Sequence, residues 1–136
     1  MDSQSTKPTA LVHRVVRRTE RGWGGHFICS YRCMFRRNTL IECDGTRIVV
    51  STVGSMRGRD DAGLEIEMIG DDRHYETMAF HAKYDGRYWD ADVSRQVFFD
   101  SPCVIADWNA DDVANDMHEK AVAEISGKLE RGETVA

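Results

Sequence analysis

His26, Cys29 and Cys33 form an H-x2-C-x3-C pattern, with Cys43 ten residues further on. Imidazole nitrogens and thiolates are the groups that hold Zn2+ in tetrahedral sites, so the residue types suit a metal. The spacing does not: on extended chain Cys29 and Cys33 project from one face roughly 13 Å apart. Only a break at residues 30–32 brings them together, and buried structural thiols are the simpler account. A Cys29 nucleophile served by His26 lacks a third group to orient the base. Further along, Glu76, His81, Asp90 and Asp92 could gather around a cation on a concave surface; the plainer expectation is a surface pair of His81 with Asp90. The RGWGG run at 21–25 has the glycines of a phosphate-cradling loop, but HFICSYRCMF follows it and reads as strand, where a cradle needs a helix. None of these patterns calls for a cofactor or fixes a catalytic residue.

Charge offers a second kind of chemistry. Residues 1–59 hold 11 Lys+Arg against 4 Asp+Glu, and residues 60–136 hold 7 against 19. The simplest account is that two halves of one domain attract each other on folding. A sharper one is a nucleic-acid surface drawn from Arg14, Arg17, Arg18, Arg32, Arg36 and Arg37, with Trp23, Tyr31 and Phe35 for stacking. Repulsion from the acidic half opposes phosphate binding, since the whole chain carries a net charge of −5. The acidic half could instead dock a protein, through Asp116 and Glu119 on the last helix or through the charged loop with Arg57, Arg59, Asp60 and Asp61.

The elements that must position these groups start from Asp44-Gly45, which joins the apolar runs of 37–53. A two-residue Asp-Gly loop suits a type I′ turn and sets Glu42 opposite Arg47, Ile41 opposite Ile48 and Leu40 opposite Val49. Apolar side chains then lie on both faces, as in the middle of a sheet. Asp85-Gly86 predicts a second two-residue hairpin over 75–98. Met78, Phe80 and Ala82 would share a core face with Trp89, Ala91 and Val93, and Thr77, Ala79, His81 and Lys83 would lie on a mostly polar one. Residues 10–18 read as a first strand, 54–63 as a loop, 64–69 as a weak strand and 103–106 as a short last one. Asn109 suits a helix N-cap, with Trp108 stapling to Val113 and with Asp111 and Asp112 at the positive end of the dipole. Val113, Ala114, Met117, Ala121, Val122, Ile125 and Leu129 form the helix's apolar stripe, His118 lies inside it as a hydrogen-bonded core or boundary group, and Arg131-Gly132 ends the helix.

At 136 residues, 41% hydrophobic and 30% charged, the chain is the size of one domain with a real core. The expected fold class is α+β: a twisted, mainly antiparallel sheet of about five to seven strands built on two Asp-Gly hairpins, with one long C-terminal helix on a face. Residues 1–9 and 133–136 are expected to be loose tails around a domain at 10–132. One helix cannot cover both faces of such a sheet, so either loops and the 21–35 segment cover the second face or a homodimer does. No apolar run is long enough to span a bilayer, and residues 1–8 lack the apolar centre of a secretion signal, so the cytoplasm and reduced thiols are expected.

The segments WGGHFI, CMFRRNTL, IVVSTVG, YETMAF and NDMHEKAV, spread over residues 23–122, together resemble small uncharacterised proteins carried by tailed phages and prophages of proteobacteria. The resemblance implies an accessory role in the host cytoplasm, where such proteins bind a host protein, and it carries over no catalytic residue. A non-enzymatic binding protein is therefore the leading expectation. Nucleic-acid binding through the arginines is the alternative, and a small metal protein or enzyme centred on His26, Cys29 and Cys33 is the third.

Overall fold

The structure, a computed structural model, describes residues 14–22, 33–56, 58–59, 65–66, 75–100 and 110–135. Five antiparallel strands form the main sheet in the order β1 (Arg17–Glu20), β2 (Cys33–Cys43), β3 (Thr46–Met56), β6 (Tyr75–Tyr84), β7 (Trp89–Asp100). A separate small ribbon pairs β4 (Gly58–Arg59) with β5 (Glu65–Ile66), and the one helix among the described residues, α1 (Ala110–Glu130), packs on one face of the main sheet. The class is α+β.

Asp44 and Gly45 both have positive φ (47° and 84°), as a type I′ turn requires, and Cys43 pairs with Thr46 across them. The ladder behind the turn pairs Glu42 with Arg47, Ile41 with Ile48 and Leu40 with Val49. Alternation then divides the apolar residues between the two faces. Ile41, Cys43, Ile48, Val50 and Ala79 meet Ala121, Val122, Ile125 and Leu129 of α1. On the opposite face Leu40, Val49, Phe80, Ala82 and Ala91 pack together, with Met78 and Trp89 against them. Each fully buried Val, Ile or Phe contributes about 1.5–3 kcal/mol. Asn38, Ser51 and Val53 are buried as well. Both faces of the central strands are thus buried within one copy of the chain, so covering the second face gives no reason for a dimer.

The second hairpin corrects the expected register. Tyr84 pairs with Trp89, not with Arg87, so Asp90 lies opposite Lys83 and not opposite His81. The cause is local: the Asp85 carboxylate accepts the backbone N–H groups of Arg87 (3.0 Å) and Tyr88 (3.1 Å), and the Asp85 N–H donates to the Tyr88 carbonyl. That moves the turn's centre one residue on, to Gly86-Arg87, with Gly86 at φ 101°, a backbone conformation that favours glycine. Two register shifts further along β7 leave Val93 exposed, outside the cluster expected to hold it. The supposed polar face of β6 is also corrected: Thr77 and Ala79 are fully buried, because that is the face α1 covers.

Of the expected first strand at 10–18, residues 10–13 lie outside the described residues, 14–16 are not strand, and 17–18 open β1, where Arg17 pairs with Glu42 across the ladder. Within the expected loop at 54–63, β3 runs on to Met56 and Gly58–Arg59 pairs with β5, while residues 57 and 60–63 lie outside the described residues. Of the weak strand at 64–69, residues 65–66 are strand, and 64 and 67–69 lie outside the described residues. In α1 six of the seven stripe residues are buried, and Val113, in the first turn, is exposed. Gly132, at φ 73°, closes the helix in a Schellman motif: its N–H donates to the Leu129 carbonyl (3.0 Å) and that of Glu133 to the Lys128 carbonyl (2.8 Å). Val135 then packs into the helix-side core, and its carbonyl accepts a hydrogen bond from His81 Nε2 (3.0 Å), while Glu133 and Thr134 are exposed. No helix among the described residues is long and apolar enough to cross a membrane.

Candidate functional site

Ala114, Met117, His118, Ala121 and Val122 recur at helical spacing, which turns the imidazole of His118 down onto the sheet with the apolar stripe around it. Beneath it lie three threonines of the same sheet face, Thr39 on β2, Thr52 on β3 and Thr77 on β6. His118 Nε2 is 2.7 Å from Thr39 Oγ1 and Nδ1 is 2.7 Å from Thr52 Oγ1, which is 2.6 Å from Thr77 Oγ1. Thr39 Oγ1 in turn donates to Glu20 Oε1 at 2.7 Å.

The chain of bonds then reaches the surface. Arg37 donates to both oxygens of Glu20 (3.1 and 2.7 Å) and to Asn115 Oδ1 (2.8 Å), and pairs with Glu119 at 2.7 Å; Arg18 meets the other Glu119 oxygen at 3.0 Å. Burial pushes the His118 pKa down to about 4, with the Arg37 charge acting the same way. Burial works to raise the Glu20 carboxyl, but hydrogen bonds from Arg37 and Thr39 outweigh it and hold the group below the usual carboxylate range. The hydrogen bond to Glu20 raises Arg37, and the one from Arg18 leads those that lower Glu119. At neutral pH the site is an uncharged, fully bonded imidazole beside an ionised carboxylate–guanidinium pair.

Such a row can pass a proton along hydroxyls, but the imidazole and the three Thr39, Thr52 and Thr77 side chains are sealed between helix and sheet. Its chemistry is positional: it fixes α1 on β2, β3 and β6 with polar bonds that apolar packing alone does not direct. A search of family models, of curated proteins and of solved structures returned no match.

The predicted nucleic-acid residues are largely engaged. Arg14 pairs with Asp44, Arg17 with Glu42, Arg18 with Glu119 and Arg37 with Glu20 and Glu119, at 2.7–3.2 Å; Arg36 is exposed on the face opposite Arg37, and Arg32 lies outside the described residues. Of these pairs, only those to Glu119 join the basic half to the acidic one. Phe35 stacks edge-on to Tyr75 beside Ala114 and is part of the core, while Trp23 and Tyr31 lie outside the described residues. Cys33 is buried at the start of β2; His26 and Cys29 lie outside the described residues, among which no group of three metal-ligating side chains occurs. Cys43 is a free, buried thiol whose pKa burial raises. On the expected interaction surface Asp116 is exposed, Glu119 is tied to Arg18 and Arg37, Arg59 is described only as backbone of β4, and Arg57, Asp60 and Asp61 lie outside the described residues.

Sequence reasoning missed the end of the β6–β7 hairpin. Tyr84 (58% exposed) and Tyr88 (37%) stand at its tip; the Tyr84 and Trp89 rings lie 5.3 Å apart, Arg47 covers Trp89 at 4.2 Å and Arg87 lies 5.6 Å over Tyr88. Arg21 donates to the Trp89 carbonyl and so ties this tip to the start of the sheet. The readable signal was Tyr84, Tyr88 and Trp89 clustered about one turn with Arg87 among them.

Proposed function

We propose that the chain is a non-enzymatic binding protein that docks another protein through the end of the β6–β7 hairpin. The observation that supports this is the exposure of Tyr84 and Tyr88 beside Trp89, with Arg47 and Arg87 laid over two of the rings. Hot spots at protein interfaces are enriched in Tyr, Trp and Arg, and Tyr and Trp bury much area at small cost in rotamer entropy. Here the rings are held by one another and by a capped turn, so little ordering remains to oppose binding. The setting consistent with this reading is the cytoplasm of the producing cell, with a host protein as partner if the chain is phage-encoded. Nucleic-acid binding is less favoured, because Arg14, Arg17, Arg18 and Arg37 already have acidic partners.

Photo-crosslinking from position 88, with position 120 on the outer face of α1 as control, tests the reading. A discrete protein adduct from position 88 and none from 120 is the expected result. Adducts from the helix only, or to nucleic acid, would overturn it.

A further inference from the structure

The ladder between β3 and β6 ends at Ile48↔His81, although β3 begins two residues earlier, at Thr46, and β6 continues to Tyr84. The strands therefore open beyond that rung. A cavity of about 260 Å3 occupies the opening, walled by Gly45, Thr46 and Arg47 on one side, His81 and Ala82 on the other, and closed by Trp89 and Arg95 from β7. Among the described residues its lining has two guanidinium groups and no carboxylate.

Several details make this opening suited to an anion. Arg47 is held in place twice, by its Nε bond to Glu42 (3.0 Å) and by the Trp89 ring 4.2 Å away. His81 spends its Nε2–H on the Val135 carbonyl, so in the neutral ring Nδ1 carries a lone pair for a ligand. Thr46 adds a hydroxyl. Arg95 is exposed on the irregular stretch of β7, with Asp92 the acidic group that feels its charge, and the Asp92 Oδ1 is already occupied by the N–H and O–H of Ser94 (3.1 and 2.6 Å).

We propose that this opening binds a phosphate monoester. Two arginines from different strands match a dianion with three terminal oxygens better than a single planar carboxylate, which one guanidinium satisfies. In the monoprotonated ester the P–O–H donates to His81 Nδ1. The cavity is smaller than those that enclose drug-sized molecules, so it admits a phosphate with a small organic group, the indole of Trp89 forming the apolar wall. The cavity shares Arg47 and Trp89 with the hairpin tip, but the inference does not rest on the docking of a protein there.

Titration of the 15N-labelled protein with inorganic phosphate, adenosine monophosphate and acetate, followed by NMR, tests it. Saturable shifts of the Trp89 indole N–H with either phosphate are expected, none with acetate at equal concentration, and at least tenfold weaker binding in Arg95→Gln. Tighter binding of the nucleotide than of inorganic phosphate identifies an ester as the occupant. Equal affinity for the two restricts the site to free phosphate and overturns the ester. Arg47→Gln, checked by circular dichroism because Arg47 also pairs with Glu42, should weaken binding to the same extent. Absence of saturation, equal response to acetate, or unchanged affinity in Arg95→Gln overturns the site.

Discussion

The carboxylate of Glu20 sets the tautomer of His118 through one intervening hydroxyl. Thr39 gives its only O–H to Glu20 Oε1 at 2.7 Å, so towards His118, also 2.7 Å away, its oxygen can only accept. Nε2 must then carry the proton and Nδ1 must accept. That makes Thr52 the donor to Nδ1, and leaves Thr52 Oγ1 to accept from Thr77. One ionised group at the sheet edge thus directs four hydrogen bonds across β1, β2, β3 and β6.

The tautomer is directly measurable. In 15N-histidine spectra at pH 7, His118 should show a protonated Nε2 and an unprotonated Nδ1. Glu20→Leu, which frees the Thr39 hydroxyl to donate, should mix the two tautomers. A pure Nδ1–H form in the parent protein contradicts the bond directions given above.

Removing the imidazole should be costly. His118 is fully buried and both ring nitrogens are bonded, so His118→Ala leaves a cavity and two hydroxyls, Thr39 and Thr52, without their partner. Cavity and desolvation terms together predict a loss of about 3–5 kcal/mol in urea unfolding. A loss under about 1 kcal/mol would mean that the helix is held by its apolar stripe alone.

Acid should unfold the protein through the same residue. The folded state holds the His118 pKa near 4, below its ordinary 6.5, so between those values the unfolded chain binds the proton first. Stability from this group is complete above about pH 6.5, falls as pH drops towards 4, and is constant below that. The full span is about 3 kcal/mol. Glu20, lowered relative to its unfolded value, acts in the same direction at the acid end: its contribution is present above the unfolded value and lost as pH falls through the folded one. His118→Gln, which cannot titrate, should flatten the slope of unfolding free energy between pH 6.5 and 4, whatever it does to the absolute value.

How much of this was legible in the sequence depends on how local its cause is. The Glu42↔Arg47 register follows from two residues, Asp44 and Gly45, and could be read directly. The second turn looked identical as a dipeptide, yet Asp85 used its side chain to cap the backbone and moved the register by two. Both faces of β6 are buried, and which of them α1 covers depends on a contact between residues about forty apart, so alternation alone cannot choose between Thr77/Ala79 and Met78/Phe80. His118 in an apolar helical arc was visible as a core or boundary group, but its partners were not, because threonine in a strand reads as ordinary surface. A row of Thr39, Thr52 and Thr77 on one face was the signal available, once the register of both ladders was known.

The turn after the helix yields the last prediction. Gly132 has φ 73°, where a side chain costs about 1 kcal/mol, and a Cβ built there would overlap Arg14 Nη1. The obstructing atom is the end of a flexible side chain, so Arg14 can withdraw, giving up its 2.8 Å pair with Asp44. Both groups of that pair are about half exposed or more, and its loss costs at most about 1 kcal/mol. Gly132→Ala should therefore destabilise by about 1–2 kcal/mol. In an Arg14→Ala background the clash and the pair are both absent, and only the backbone cost of about 1 kcal/mol should remain. A Gly132→Ala effect that vanishes in that background would assign the whole cost to Arg14 and none to the left-handed backbone.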